Sequence, residues 1–191
     1  MTPAASAGHF EAKYRDDEDP WGYRTRWYER RKYAITLASL PRERYRTAWE
    51  PACSIGVLTR QLAGRAGRVH ASDVSPTAIE AARREPVPAG VTFAVERLPG
   101  PAPVPPGGAD LVVLSEILYY LPEADRAAVL AAAHEALEPG GDLVVVHWRP
   151  QPEDADASGD EVNARLRTLP DWRPVLRHED EGFVLDVLRR P

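Results

Sequence analysis

The stretch Ala48-Trp49-Glu50-Pro51-Ala52-Cys53-Ser54-Ile55-Gly56-Val57-Leu58-Thr59 decides how the rest of this chain is read. Glu50 closes a short apolar strand. A loop of small residues runs from Ala52 to Gly56, and a helix carrying Leu58 and Leu62 follows. Downstream, 68–73 reads as a second strand ending on Asp73, at about the 20-residue spacing that nucleotide-binding folds use. Small residues let the backbone approach a ligand closely, and a helix N-terminus offers unpaired N–H groups. A carboxylate closing the second strand can accept from a ribose diol.

Outward from this unit, residues 1–18 are polar and acidic, reaching Asp16-Asp17-Glu18, and are expected to form a mobile tail. Residues 19–191 are expected to form one domain, opened by a helical lid at 19–41 that is rich in Trp, Tyr and Arg and stopped by Pro41. Strand one is placed at 46–50 with its helix at 56–64. Ser75-Pro76 starts the next helix, serine as cap and proline at the first helical position. A short strand at 91–95 precedes a Pro/Gly-rich loop at 98–108. The run Ala109-Asp110-Leu111-Val112-Val113-Leu114-Ser115 has the apolar character of a buried parallel strand. A helix at 123–137 ends at Pro139-Gly140-Gly141, before strand five at 142–147, a helix at 159–169, and two alternating segments at 174–178 and 182–188. The alternation predicts an α/β Rossmann-like fold. Its doubly wound, mostly parallel seven-stranded sheet carries a C-terminal antiparallel hairpin and helices on both faces.

Composition narrows the function classes. With 43% hydrophobic and 28% charged residues the chain is an ordinary globular protein, long enough for one proper core. A net charge of −5 leaves no electrostatic footprint for nucleic acid beyond the Arg-rich stretch 24–32. The single cysteine excludes an intrachain disulfide and a thiolate metal cluster. No apolar run approaches the roughly 20 residues of a membrane span, and the start lacks a signal-peptide core. A cytoplasmic protein, monomeric or weakly dimeric, is expected.

With these elements placed, the chain resembles the class I S-adenosylmethionine-dependent methyltransferases. The resemblance rests on Glu50–Gly56, Ser72-Asp73-Val74-Ser75-Pro76, Ala109–Glu116 and Leu137-Glu138-Pro139-Gly140-Gly141, in that order. Within that superfamily it is most similar to the nodulation protein S group. There the carrying residues are Asp19-Pro20-Trp21-Gly22, Trp27-Tyr28-Glu29-Arg30-Arg31-Lys32-Tyr33-Ala34, Cys53–Thr59 and Val146-His147-Trp148-Arg149. The resemblance implies S-adenosyl-L-methionine as cofactor. It also implies N-methylation of a free amine on a glucosamine-type sugar or oligosaccharide. It places Glu50 near the methionine amine, Ala52, Cys53 and Ser54 in the cofactor loop, and Asp73 and Val74 at the ribose. Arg31 or Tyr28 is expected to reach the methionine carboxylate, a task suited to a guanidinium fork.

Two departures from the family pattern stand out. Ala52 and Ser54 occupy positions where glycine is usual, leaving only Gly56, so the bend either uses negative φ at 52 or is strained. Arg97 stands where relatives tend to carry an aspartate for adenine, with Glu96 one residue early; backbone groups of Arg97–Leu98 are an equal expectation. Ser115 and Glu116 follow strand four, and His147 and Trp148 follow strand five, at the sheet edge where open α/β folds place ligands. Tyr119, Tyr120, Trp148 and Tyr28 are either ordinary core or the faces on which a sugar ring stacks. An ammonium cannot attack a methyl group, so a proton must leave first. His147 is the leading candidate base and Glu116 the second, unless solvent takes the proton.

Cys53 is expected to pack rather than react, because a sulfonium methyl donor needs no covalent intermediate. No His spacing suggests a metal, His134 and His178 reading as helix-surface and strand residues. The acidic 153–156 segment reads most simply as a solvated loop, with holding a cationic amine as its alternative. Three other functions remain open: an O- or N-methyltransferase of another small metabolite, a non-catalytic cofactor-binding scaffold, and, with less support from the loop, a nicotinamide dehydrogenase.

Overall fold

The computed structural model describes residues 6–191. Seven strands form one sheet in the order β3-β2-β1-β4-β5-β7-β6, with β1 at Tyr45–Pro51, β2 at Ala66–Asp73 and β3 at Val91–Val95. The other half holds β4 at Ala109–Ser115, β5 at Leu137–Trp148, β6 at Arg173–Glu179 and β7 at Phe183–Arg189. All neighbours through β5 are parallel, and β7 runs antiparallel to both β5 and β6. The expected hairpin therefore forms, with its second strand inserted between β5 and the edge strand β6.

Alternation along β1 divides the core. Ala48 faces one helical layer, with Leu58, Leu62 and Ile79, and Trp49 faces the other, with Val129, Ala133 and Leu166. The two layers are built from helices α3 (Val57–Leu62) and α4 (Pro76–Arg84) on one side and α5 (Glu123–Ala136) and α6 (Gly159–Leu166) on the other. Strands β4 and β7 are buried almost end to end, which is why their sequences are apolar runs. The chain winds from β1 toward β3, then returns to β4 on the other side of β1. This reversal opens a crevice beyond the carboxyl ends of β1 and β4.

The N-terminal segment departs from expectation. Residues 1–5 of the anticipated tail lie outside the described residues, but Ala7–Asp16 form helix α1, capped by Ser6. Tyr14 of α1 is buried and donates to Ser54 Oγ at 2.5 Å. Glu11 accepts from Ser75 Oγ (2.6 Å) and Thr77 Oγ1 (2.7 Å). Acidic composition suggested solvation, whereas these acids are spent on tertiary hydrogen bonds. The expected lid helix is shorter, with α2 at Trp27–Ala38 after a turned segment at 17–26. No helix among the described residues is long and apolar enough to cross a membrane.

Candidate functional site

A cavity of about 1030 Å³ opens at the switch between β1 and β4, roofed by α1 and α2. Single small-molecule pockets run to roughly 300–1,000 Å³, so this one has room for two guests side by side.

One wall comes from the β1–α3–β2 unit. Ala52 and Ser54 take positive φ, +58° and +53°, and Gly56 has +75°. The small-residue bend therefore has the shape expected of three glycines, with two of the three positions strained. Left-handed backbone costs an L-residue roughly 1–2 kcal/mol, and it persists because its surroundings over-determine it. Ser54 N–H donates to Asp73 Oδ2 at 2.9 Å, and Cys53 N–H to the Ser72 carbonyl at 2.8 Å. At Gly56 a Cβ would fall 2.8 Å from the Phe93 ring, so this position also lacks space for a side chain. Asp73 takes a further N–H from Ser75 at 3.0 Å. It is buried without a cationic partner among the described residues, and burial raises its carboxyl despite these backbone donors.

The opposite wall is made by side chains from three distant segments. Glu29 and Lys32 come from α2, Glu116 follows β4, and Trp148 ends β5. The buried stripe of α2 is Glu29, Lys32, Tyr33 and Thr36, the i, i+3, i+4, i+7 pattern of a core-facing helix written in polar residues. Lys32 Nζ lies 2.6 Å from Glu116 Oε1 and 2.8 Å from Glu29 Oε2. Around it stand the rings of Tyr28, Tyr33 and Tyr23, with centroids at 5.2, 5.5 and 5.9 Å. Glu116 Oε2 accepts from Tyr119 OH (2.5 Å) and Trp148 N–H (2.8 Å). Glu116 also has positive φ, +57°.

These contacts sort the charges. Burial works to lower Lys32, but Glu116 and Glu29 together push it up, so it stays an ammonium. Burial works to raise Glu116, yet the Lys32 charge and the Lys32 and Tyr119 hydrogen bonds hold it below the ordinary carboxylate range. For Glu29 burial wins over Lys32, and its carboxyl is raised. One cation between two carboxylates leaves a net negative floor.

Most of the residues expected from sequence meet here. Tyr28, Tyr119, Tyr120, Trp148, Ser115 and Glu116 line the cavity on the charged side. On the other side lie Ala52, Ser54, Asp73 and Val74, with Arg97 and Leu98 beyond them.

Three expectations fail. Arg31 points away from the cavity and pairs with Asp180 at 2.6 Å, its guanidinium over Phe183. Trp27, one turn before it, is 70% exposed, so that stripe of α2 is the outer face. Cys53, by contrast, packs into the apolar core as expected, where burial pushes its thiol up and its side chain does not line the cavity. Glu50 lies beneath the bend rather than on the wall, and burial raises its carboxyl to about 8. His147 is wholly buried behind Tyr119, their ring centroids 4.8 Å apart, with Nδ1 2.6 Å from Asn163 Oδ1. Burial lowers its pKa, and its ring does not reach the cavity.

Sequence reasoning also passed over Glu29, Lys32 and Tyr14. The first two were visible as members of a quoted motif, and the 29/32/33/36 spacing was the signal that they, and not Trp27 and Arg31, face inward.

Comparison with known proteins fits this geometry. Residues 49–141 match the family model of the methyltransferase domain. Nodulation protein S of Rhizobium tropici is 32% identical over 138 residues, 66% of this chain and 54% of that protein. The chain thus spans about half the length of this curated relative. A crystal structure of a candidate methyltransferase from Pseudomonas syringae has 38% identity and a TM-score of 0.70, covering 86% of this chain and all 100% of that one. The chain belongs to the class I S-adenosylmethionine-dependent methyltransferases, in the nodulation protein S-like group. The fold of this methyltransferase also matches that of the N-methyltransferase NodS from Bradyrhizobium japonicum, solved with S-adenosyl-L-homocysteine. There the TM-score is 0.81 at 24% identity over 97% and 98% of the two chains.

The wall residues suit the cofactor this family uses. A buried, cation-free carboxylate at the end of β2 has two backbone donors on one side and the cavity on the other. Vicinal hydroxyls are the donors such a group lacks. The left-handed bend beside it presents backbone rather than side chains to a guest.

Proposed function

We propose that this methyltransferase transfers a methyl group from S-adenosylmethionine to the free amine of a small acceptor, a glucosamine-type sugar or oligosaccharide. The observation that carries the reading is the Glu29–Lys32–Glu116 cluster. Its net negative charge, set among Tyr28, Tyr119 and Trp148, suits a cationic amine borne on a ring that stacks on aromatic faces. A neutral hydroxyl acceptor gains less from that charge than an ammonium does. NodS from Bradyrhizobium japonicum, 26% identical in its second crystal structure, is an N-methyltransferase, which agrees with it.

In this reading Asp73 accepts the ribose hydroxyls and the Ala52–Ser54 bend lies along the amino-acid tail. Arg97 and Leu98 border the adenine with their backbone. Arg26, at the start of α2, lines the cavity without a carboxylate partner among the described residues and takes the methionine carboxylate in place of Arg31. When bound, the cofactor supplies an activated methyl on a sulfonium, so the protein contributes alignment and exclusion of water. Helix α1 closes the roof, anchored by His9 to Asp154 at 2.7 Å and by Glu11 to α4. The 6–41 segment, α1 included, acts as the lid of a single domain, and the protein works as a cytoplasmic monomer or weak dimer, where one free cysteine stays reduced.

Calorimetry with S-adenosylhomocysteine, followed by methyl-transfer assays on glucosamine oligomers with one free amine or fully N-acetylated, tests the reading. Binding, with product only from the free-amine oligomer, is expected. Product from the acetylated oligomer alone overturns the amine assignment in favour of oxygen. No binding at millimolar ligand favours a scaffold.

A further inference from the structure

We propose that Glu29 receives the proton of the acceptor ammonium, a role that rests on the amine-methylating reading above. Of the other carboxylates lining the cavity, Glu96 and Glu153 are exposed and Asp125 is half-buried, and the rest are committed. Glu116 accepts from Lys32, Tyr119 and the Trp148 backbone. Asp73 holds two backbone N–H groups on the nucleotide side. Asp154 sits at the rim against His9. Glu29 is buried, lines the cavity and has Lys32 as its one ion-pair partner among the described residues. The Lys32 ammonium lies 2.8 Å from its Oε2 and is shared with Glu116 at 2.6 Å. A carboxylate has about four acceptor sites, so one that shares a single cation keeps capacity for a guest donor.

Placement supports the same role. Glu29 and Glu116 flank one ammonium, so a guest cation beside Glu29 also stands next to the strained residue that closes β4, where this fold conducts its chemistry. In the step, an N–H bond of the ammonium breaks, its electron pair stays on nitrogen, and the proton forms an O–H bond on Glu29. The lone pair then forms the N–CH3 bond as the sulfonium S–CH3 bond breaks and its electrons return to sulfur, leaving a neutral thioether. The product leaves as a secondary ammonium, and the Glu29 proton passes to solvent through the cavity mouth. Burial raises Glu29 toward the range useful in a base, opposed by Lys32 and Arg26 and reinforced by Glu116, the charged groups that face it.

The test compares wild type, Glu29→Gln and Glu29→Asp by S-adenosylhomocysteine calorimetry and by the pH dependence of methyl transfer to a mono-deacetylated glucosamine oligomer. Glu29→Gln is expected to keep its affinity for the nucleoside within about threefold. At pH 7 it loses on the order of 100-fold or more in kcat, the usual worth of a general base. Its rate then climbs about tenfold per pH unit up to the amine's own pKa, because only amine already deprotonated in solution reacts. Glu29→Asp falls between the two. A Glu29→Gln enzyme within threefold of wild type, or one with an unchanged pH profile that loses nucleoside binding and turnover together, overturns the assignment. Failure of the proposed function itself looks different. Wild type that binds the nucleoside yet methylates only hydroxyl acceptors, or does not bind it, removes both claims without any variant.

Discussion

The two walls of the cavity are built by opposite means. The nucleotide wall is one continuous unit, β1–bend–β2, whose polar groups are backbone N–H donors satisfied by a single carboxylate. Its cost is conformational, paid at Ala52 and Ser54. The acceptor wall joins side chains 84 residues apart in sequence, from Lys32 to Glu116, and its cost is electrostatic: three ionisable groups held away from water. In the proposed reading, the wall made of backbone takes the cofactor. A wall made of side chains can be rewritten for a different acceptor without disturbing the bend.

Removing the central cation is the severest way to break the acceptor wall. Lys32→Met leaves Glu29 and Glu116 facing each other without compensation, and losing one partner of a buried ionic cluster costs about 3–5 kcal/mol. The loss should depend on pH. Without Lys32 both carboxyls rise in the folded state above their unfolded values. Their penalty is then full above the raised pKa values and fades as pH falls toward the ordinary carboxylate range. Urea unfolding at pH 8 and pH 5 measures it. A variant equally destabilised at both shows that packing, not charge, dominates this wall.

Asp73→Asn should break the other wall more mildly and in a different observable. A hydrogen bond to a charged group contributes about 1.5–3 kcal/mol, so affinity for S-adenosylhomocysteine should fall roughly 10- to 100-fold. KM for a saturating amine acceptor should stay put. If nucleoside affinity is unchanged while acceptor KM rises, the two walls have been assigned the wrong way round.

How much of this was legible in the sequence follows the same division. Strand ends, the Ser75-Pro76 cap and the Asp73 spacing are local, and the fold follows them closely. Positive φ at Ala52 was legible as one of two alternatives only, because a sequence shows the substitution but not what holds it. Around the acceptor, Glu116, Tyr119 and Trp148 were placed by their strand ends. His147 failed because alternation in β5 turns it away from the crevice, into the layer where Asn163 waits. Arg31 failed through a wrong choice of helix face, and Glu50 because its burial emerges only when Thr59 and Cys53 pack over it. Helix α1 was invisible, since its hold on the molecule lies in partners 40 and 64 residues away.

The strain in the bend can be released singly. Ala52→Gly removes a Cβ from left-handed backbone and should stabilise the protein by about 1 kcal/mol, partly offset by the entropy of glycine in the unfolded chain. For a chain of this size that raises Tm by roughly 2–4 °C. Ser54→Gly should gain less, because it forfeits the hydroxyl that accepts from Tyr14. In a Tyr14→Phe background the two glycine variants should converge, and thermal melts of the four proteins measure the difference. If they stay apart there, the Tyr14 hydrogen bond is not what separates positions 52 and 54.

The smallest expected effect is local. The Ser75 hydrogen bond is the chief reason that Glu11 sits at about pKa 2, with Thr77 and Arg15 adding to it, against an ordinary value near 4.5. A depressed carboxyl stabilises the docked helix fully above the undocked value and loses that contribution as pH falls from about 4.5 toward about 2. Helix α1 can lift without opening the sheet, so global melting should hardly move. Amide exchange in the last turn of α1 is the sensitive measurement. At pH 7 Glu11→Gln should exchange faster than wild type, and near pH 2 the two should match. Equal exchange at pH 7 assigns the docking of α1 to Tyr14 and the His9–Asp154 contact alone, and makes the roof of the cavity a matter of packing rather than charge.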